Sequence, residues 1–373
     1  MMNYKDTLFF VGNCLTLRHY PQRIPEIRKI LQSGELEWEH LVLVSSQQLV
    51  LPALYIQLRD SKLLNELPAD LIVHLDHLHE TNSRRNKEIL AQISDIIKLL
   101  NSKGISPIFL KGTAHMMDGL YRDHGERMIG DIDFLVAWEE LLPAVELLGE
   151  LGYYYPIPFS TDILKEIKHY PRLRNDTLLA AVEVHRQPVS KPYDRKFNFD
   201  LIDTEKRKLI HEGEAFILSD RHQIIHNMMN AQMNDKAFKE RKLSLRHSYD
   251  LFLLSQRANC LQTSKDFGHY FKRLNAHIIV SHELLDRPDS LQYENNSQAR
   301  RYLRQILFFI NHPAWHSAFR IALYFGTRLK RYVTLPVIAI YNKAERKALI
   351  RRLGDKSWYK AHFATYKNLF IRR

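Results

Sequence analysis

Asp131 and Asp133 are separated only by Ile132 and run straight into the apolar Phe134-Leu135-Val136. Side chains two apart on a strand project from the same face, so this spacing presents two carboxylates together. Like charges that close would drive one pKa upward, whereas a divalent cation takes hard oxygen ligands and lets a substrate phosphate complete its shell. The pair therefore points to metal-assisted phosphate chemistry, with Mg²⁺ as the expected ion and Mn²⁺ as its substitute. Upstream, the apolar run 105–110 leads directly into Lys111-Gly112-Thr113, and Arg127 stands four residues before Asp131. Downstream, Val182-Glu183-Val184-His185 places another acid and a histidine on one face of a further strand.

These residues need strands to hold them, and hydrophobic periodicity supplies the elements. Leu90, Ile93, Ile96, Ile97 and Leu100 recur at steps of three and four, which predicts a helix over 71–100 closed by Gly104. Segments 105–110, 132–136 and 178–185 read as strands, and 113–121 and 139–151 as the helices between them. After residue 204 the chain reads as helical again, notably over 223–233 and 243–256. The expectation is an α+β chain, predominantly helical, with a small mixed-sheet core between helical flanks. Its regions are an N-terminal helical region 1–100, an α/β core 101–200 and a C-terminal helical region 201–373.

The ordered set of Lys-Gly-Thr after a strand, Arg127, Gly130-Asp131-Ile132-Asp133 and Glu183-Val184-His185 resembles the uncharacterised bacterial nucleotidyltransferase-like family of the DNA polymerase β superfamily. The likeness covers roughly residues 20–260 and continues into a helical tail through His226 and Arg246-His247-Ser248-Tyr249-Asp250. It implies a polymerase β-like core and a metal-dependent transfer of a nucleoside monophosphate from an NTP, with ATP the expected donor, to a hydroxyl-type acceptor with release of pyrophosphate. Gly112 and Thr113 match the turn that holds the triphosphate on backbone N–H groups and a hydroxyl, with Thr in place of the usual Ser. Asp131, Asp133 and Glu183 match the carboxylates that hold two Mg²⁺ ions. The acceptor is left open as a small molecule, protein or RNA.

The cations around these motifs admit two readings. Lys111 and Arg127 either contact phosphate or hold the acids in place as carboxylate partners. His185 shares the strand face of Glu183 and either orients the acceptor or the acid, or is structural. Arg246 is a candidate for the acceptor pocket, although its spacing of four from Asp250 favours a simple ion pair on one helix face. Two other functions compete. One is a glycosyltransferase using Asp131 and Asp133 to hold a sugar nucleotide through a metal, for which Thr113 and Glu183 would be dispensable. The other is a non-catalytic module that binds nucleic acid or protein through a basic tail.

That tail is real as composition. The chain has 373 residues and a net charge of +12, yet from residue 300 onward 17 Lys or Arg face only Glu345 and Asp355, so the preceding chain is slightly acidic. Residues 300–373 are thus the candidate surface for nucleic acid or an anionic membrane. At 45% hydrophobic and 26% charged the chain has the composition of a folded globular protein, not a disordered one. Cys14 and Cys260 are the only cysteines, too few for a disulfide framework or a cysteine zinc site, which suits a reducing compartment. Neither a signal-peptide pattern nor an eighteen-residue apolar run is present, so the expected location is cytoplasmic.

Overall fold

The computed structural model describes residues 1–341 apart from 158, 160, 211 and 212, together with 346, 349, 350, 354 and 359. Four short helices, α1 (Tyr4–Cys14), α2 (Ile24–Gln32), α3 (Trp38–Gln47) and α4 (Leu51–Asp60), lead into the long α5 (Ala69–Asn101). The core follows as β1 (Ile108–Phe109), α6 (Lys111–Met117), β2 (Asp131–Leu135), α7 (Leu141–Glu150) and β3 (Ala181–His185). Next come α8 (Phe199–Glu205), β4 (Arg207–Lys208), β5 (Phe216–Ile217) and α9 (Asp220–Met229), which runs into a π turn at Asn230–Asn234. The remaining helices are α10 (Ala237–Glu240), α11 (Leu245–Ser255), α12 (Cys260–Asp266), α13 (Phe271–Leu284), α14 (Ser297–Asn311) and α15 (Pro313–Tyr341). The chain is therefore α+β and predominantly helical, as the periodicity predicts.

The five strands form one mixed sheet in the order β3-β2-β1-β5-β4. β2 is parallel to β3 and antiparallel to β1, while β5 joins β1 in parallel and carries β4 antiparallel at the far edge. Two of its strands thus come from beyond residue 200. β1 is only two residues long because the chain leaves the sheet at Leu110 to enter α6.

The buried stripe of α5 consists of Ile89, Ile93, Ile96, Ile97 and Leu100, with Leu90 only half-buried, and it packs in one core with Ile132, Phe134, Val182 and Val184 of the sheet. The same helix face carries polar groups that periodicity cannot interpret. Asn82 Nδ2 donates to the carbonyl of Gly125 at 2.8 Å, and Asn86 Nδ2 to those of His124 at 2.6 Å and Arg127 at 2.7 Å. Gln92 donates to the carbonyl of Ala180 at 2.7 Å. Buried amides bonded to backbone in this way fix a segment that has no sheet or helix of its own. Asn82 and Asn86 thus hold the irregular connection between α6 and β2, and with it the approach to Asp131, while Gln92 holds the entry to β3.

Contacts group the chain into Met1–Ile306 and Leu307–Arg373. In the second group α15 has Pro336 inside it and exposes Trp315, Leu329, Val333 and Val337. The basic segment expected to meet nucleic acid or an anionic surface lies, from 342 on, outside the described residues except for the five named above. Among the described residues no helix is long and apolar enough to cross a membrane. Cys14 and Cys260 are both free and buried.

Candidate active site

The register of the two parallel strands sets Asp133 directly beside Glu183, Asp131 beside Ala181 and Leu135 beside His185. With side chains alternating, Asp131, Asp133, Glu183 and His185 share one face of the sheet, and the intervening Ile132, Val182 and Val184 fill the core behind. Asp133 Oδ1 accepts from His185 Nε2 at 2.9 Å, and Glu183 Oε2 lies 3.5 Å from the same nitrogen. Asp133, Glu183 and His185 offer ligand atoms all within 4.8 Å of one another, close enough for a shared cation. Asp131 stands at the open end of the row, ion-paired to Arg172.

Lys111 takes a left-handed backbone, φ 54°, at the first residue of α6. From there its Nζ reaches the Asp133 carboxylate in a close ion pair and lies 3.5 Å from Glu183 Oε2. Gly112 follows because no side chain fits: a Cβ there would lie 2.3 Å from Arg127 Nη1. Thr113 is fully buried, and its hydroxyl donates to the Asp131 carbonyl at 3.2 Å while lying 3.4 Å from the Asp133 N–H. That hydroxyl is spent on β2, stapling the start of α6 to the strand that carries both aspartates.

Arg127 grips Asp250 of α11 through two parallel hydrogen bonds, Nε to Oδ1 at 2.9 Å and Nη2 to Oδ2 at 2.8 Å. Tyr121 also donates to this carboxylate, and His115 Nδ1 lies 3.7 Å away. Bidentate geometry of this kind is the strong form of the Arg–carboxylate contact. Asp250 therefore pairs with Arg127 across the fold and not with Arg246 one helical turn away. Both cations with two readings, Lys111 and Arg127, sit on carboxylates.

Electrostatics follow from these contacts. Burial pushes the Asp133 carboxyl up, but Lys111 and His185 overcome it and hold it below the usual range. Glu183 is driven well below that range in spite of burial by His185, Lys111 and His169. Asp131 is instead raised, by burial and by the neighbouring Asp133 and Glu183, which the Arg172 charge does not fully offset. Burial, reinforced by the nearby His185, pushes His169 down to about 4, so it is neutral near pH 7.

A cavity of about 350 Å³ opens over the acids and is lined by Lys111, Gly112, Arg127, Asp131, Asp133, Lys168, Glu183 and Arg246, among others. Thr113 and His185 are not part of its lining. His185 lies behind the acids, fully buried. Spacing alone could not place Lys168, His169 and Arg172. Their segment runs antiparallel along the free edge of β3, with Tyr170 N bonded to the Val184 carbonyl at 2.8 Å and Leu173 N to that of Val182 at 2.9 Å. No hydrophobic alternation marks it, so nothing in the sequence announces that strand-like pairing. His226 and Asn227 of α9, Asn230 of the π turn and Asp235 just past that turn also line the cavity.

No curated protein matches the chain. Residues 34–284, about two thirds of its length and every residue of the site, match the family described as uncharacterised nucleotidyltransferase. Strands β2 and β3 with their acids, the α6 turn and the helix bearing Asp250 all fall inside that stretch, and the chain belongs to the uncharacterised nucleotidyltransferase family.

Proposed function

We propose that the protein is a divalent-metal-dependent nucleotidyltransferase of the DNA polymerase β superfamily, moving an NMP from an NTP to a hydroxyl-type acceptor with release of pyrophosphate. The observation that carries this reading is the β2–β3 register, which sets Glu183 level with Asp133 and leaves Asp131 on the same face. Asp131, Asp133 and Glu183 would hold the metal, Mg²⁺ or Mn²⁺. The donor set fits such an ion: Asp133 and Glu183 bring ligand oxygens within 4.8 Å of each other and of His185, which orients them, and Asp131 stands at the open end of the same row. When bound, a divalent ion supplies charge to the reacting phosphate and acidifies the attacking hydroxyl.

The chain's own residues do the rest. Lys111 and Arg127 bring positive charge to the α6 turn, where the transferred group and the departing pyrophosphate concentrate negative charge. Gly112 lets the Arg127 guanidinium come that close. Thr113 acts by holding β2 against α6, so that both aspartates keep their places, rather than by touching phosphate. ATP is the proposed donor.

The test is transfer of label from each α-labelled NTP, with Mg²⁺ or Mn²⁺, to the protein itself, to tRNA or to small molecules of a lysate. Wild type should transfer label while Asp131→Ala and Asp133→Asn do not. Equal labelling by all three would end the proposal. A glycosyltransferase, by contrast, would tolerate alanine at Glu183, whereas Thr113, which holds the strand of both aspartates, would matter to either enzyme.

A further inference from the structure

A second cavity, of about 240 Å³, shares Asp235, Arg246 and His247 with the one over the acids and extends between α11, α13 and α14. The π turn at Asn230–Asn234 contributes Gln232 to its wall. Such turns insert one extra residue into a helix and often mark functional sites. Two buried nitrogens in the lining of this cavity, Arg246 Nε and His277 Nε2, have no hydrogen-bond partner among the described residues. Among the described residues Arg246 forms no ion pair either, Asp250 being taken by Arg127.

His277 is paired on one side only. Its Nδ1 lies 2.8 Å from the Gln232 amide, whose other end is 3.4 Å from Tyr302 OH, a hydroxyl that also donates to the Ala237 carbonyl at 3.2 Å. Since the amide can present either end to Nδ1, the neutral ring can carry its proton on Nε2 and offer it to an acceptor in the cavity. Burial pushes this imidazole down to about 4, which keeps it neutral near pH 7. The cavity is thus lined by a cationic N–H donor, Arg246 Nε, and an imidazole nitrogen, His277 Nε2, both without a partner among the described residues. A buried donor left unmade is costly, and the group that best satisfies a guanidinium N–H with no carboxylate against it is an oxyanion.

We infer that this second cavity is the acceptor's anion site: Arg246 and His277 hold the phosphate or carboxylate of a small hydroxylic acceptor, whose hydroxyl then enters the neighbouring cavity over the acids. The inference rests on the nucleotidyltransferase reading for the word acceptor, but the anion site can be tested without it. His247, which lines both cavities, is pushed by burial down to about 3 and brings no positive charge of its own near pH 7. Asp235 on the same rim, raised by burial, faces the positive charges of Lys168 and Arg246.

The experiment titrates inorganic phosphate, and acetate in parallel, into the full chain saturated with Mg²⁺ and a non-hydrolysable NTP analogue, with binding read by calorimetry. Wild type should bind one of the two anions alongside the analogue. Arg246→Lys should weaken that anion about tenfold and Arg246→Ala abolish it, and His277→Asn should weaken it several-fold, while each variant keeps the analogue within about threefold. His277 is buried, so its variant counts only if its unfolding midpoint stays near that of wild type; the two Arg246 variants decide the matter regardless. Competition between anion and analogue would overturn the inference and give Arg246 to the donor's triphosphate. Anion binding unchanged in Arg246→Ala, or absent from wild type, would overturn it as well. If the analogue fails to bind, the nucleotidyltransferase reading falls, while phosphate or acetate alone, bound by wild type and lost in Arg246→Ala, still upholds the anion site.

Discussion

Along β2 and β3 each of the three acids has a cation against it: Arg172 on Asp131, Lys111 on Asp133 and again on Glu183. On the helical wall, on α11 and α13, Arg246 Nε and His277 Nε2 have no hydrogen-bond partner among the described residues. The sheet side, with two cations against three acids, keeps a net negative charge for a metal ion and is geometrically fixed before any ligand arrives, which suits groups whose task is to stabilise charge as it develops. The helical side keeps polar nitrogens unsatisfied, which suits groups whose task is to select an occupant. A site that rejects ligands lacking the right acceptor does so because its buried donors would otherwise stay unpaired.

The largest effect, and the hardest test of the sheet side, should come from Glu183→Gln. It keeps the shape beside Asp133 and removes one of three carboxylates, and transfer of label should fall by about 10³-fold. Loss of less than tenfold would move Glu183 out of the chemistry. Next comes the junction of the two sides. Asp250→Ala leaves the Arg127 guanidinium buried and unpaired, which should cost about 3–5 kcal/mol in urea unfolding. Replacing both partners with apolar residues, Arg127→Met with Asp250→Leu, should recover much of that loss.

The same pair has a pH signature. The Asp250 carboxyl is pushed up by burial but held well below the ordinary range by Arg127. Its folded pKa therefore lies below its unfolded value of about 3.9. The stability it contributes is fully present above that unfolded value and is lost as pH falls through the folded one. The stability gap between wild type and Asp250→Asn should accordingly stay constant from pH 7 to about 5 and narrow below about 4. A gap that widens on acidification would contradict the pairing.

Smaller effects sharpen the comparison further. Thr113→Val strands the Asp131 carbonyl and the Asp133 N–H in the core, at a cost of about 1–3 kcal/mol, and Thr113→Ser should restore most of it. Arg172→Ala removes a half-exposed partner of Asp131 and should change stability by less than about 1 kcal/mol.

How far the sequence could carry these conclusions differs between the same two sides. The acids of β2 and β3 were legible because a strand turns spacing into direction: Asp-Ile-Asp and Glu-Val-His each fix a face, and only the register between them needed a structure. Helical spacing was less informative. Arg246 and Asp250 are one turn apart and could pair, yet the bidentate fork of Arg127 reaches Asp250 from a distant connection, and no local rule anticipates a contact spanning 123 residues. Thr113 was legible as a hydroxyl at the right place, but whether it faces ligand or strand depends on how α6 leaves β1. The polar residues of α5 were opaque for a similar reason. Asn82, Asn86 and Gln92 look like solvent-facing positions until the backbone they bond is folded against them.

The placement of β5 has a practical consequence. It lies between β1 and β4, inside the sheet, although its residues come after position 200. A fragment cut to residues 101–200 would lack two of five strands and would strip Arg127 of the Asp250 carboxylate it grips, so it should neither express as a folded piece nor report on the chemistry. Complementation assays, crystallisation trials and any swap with a related chain should therefore place their boundaries outside the stretch from α5 to α13.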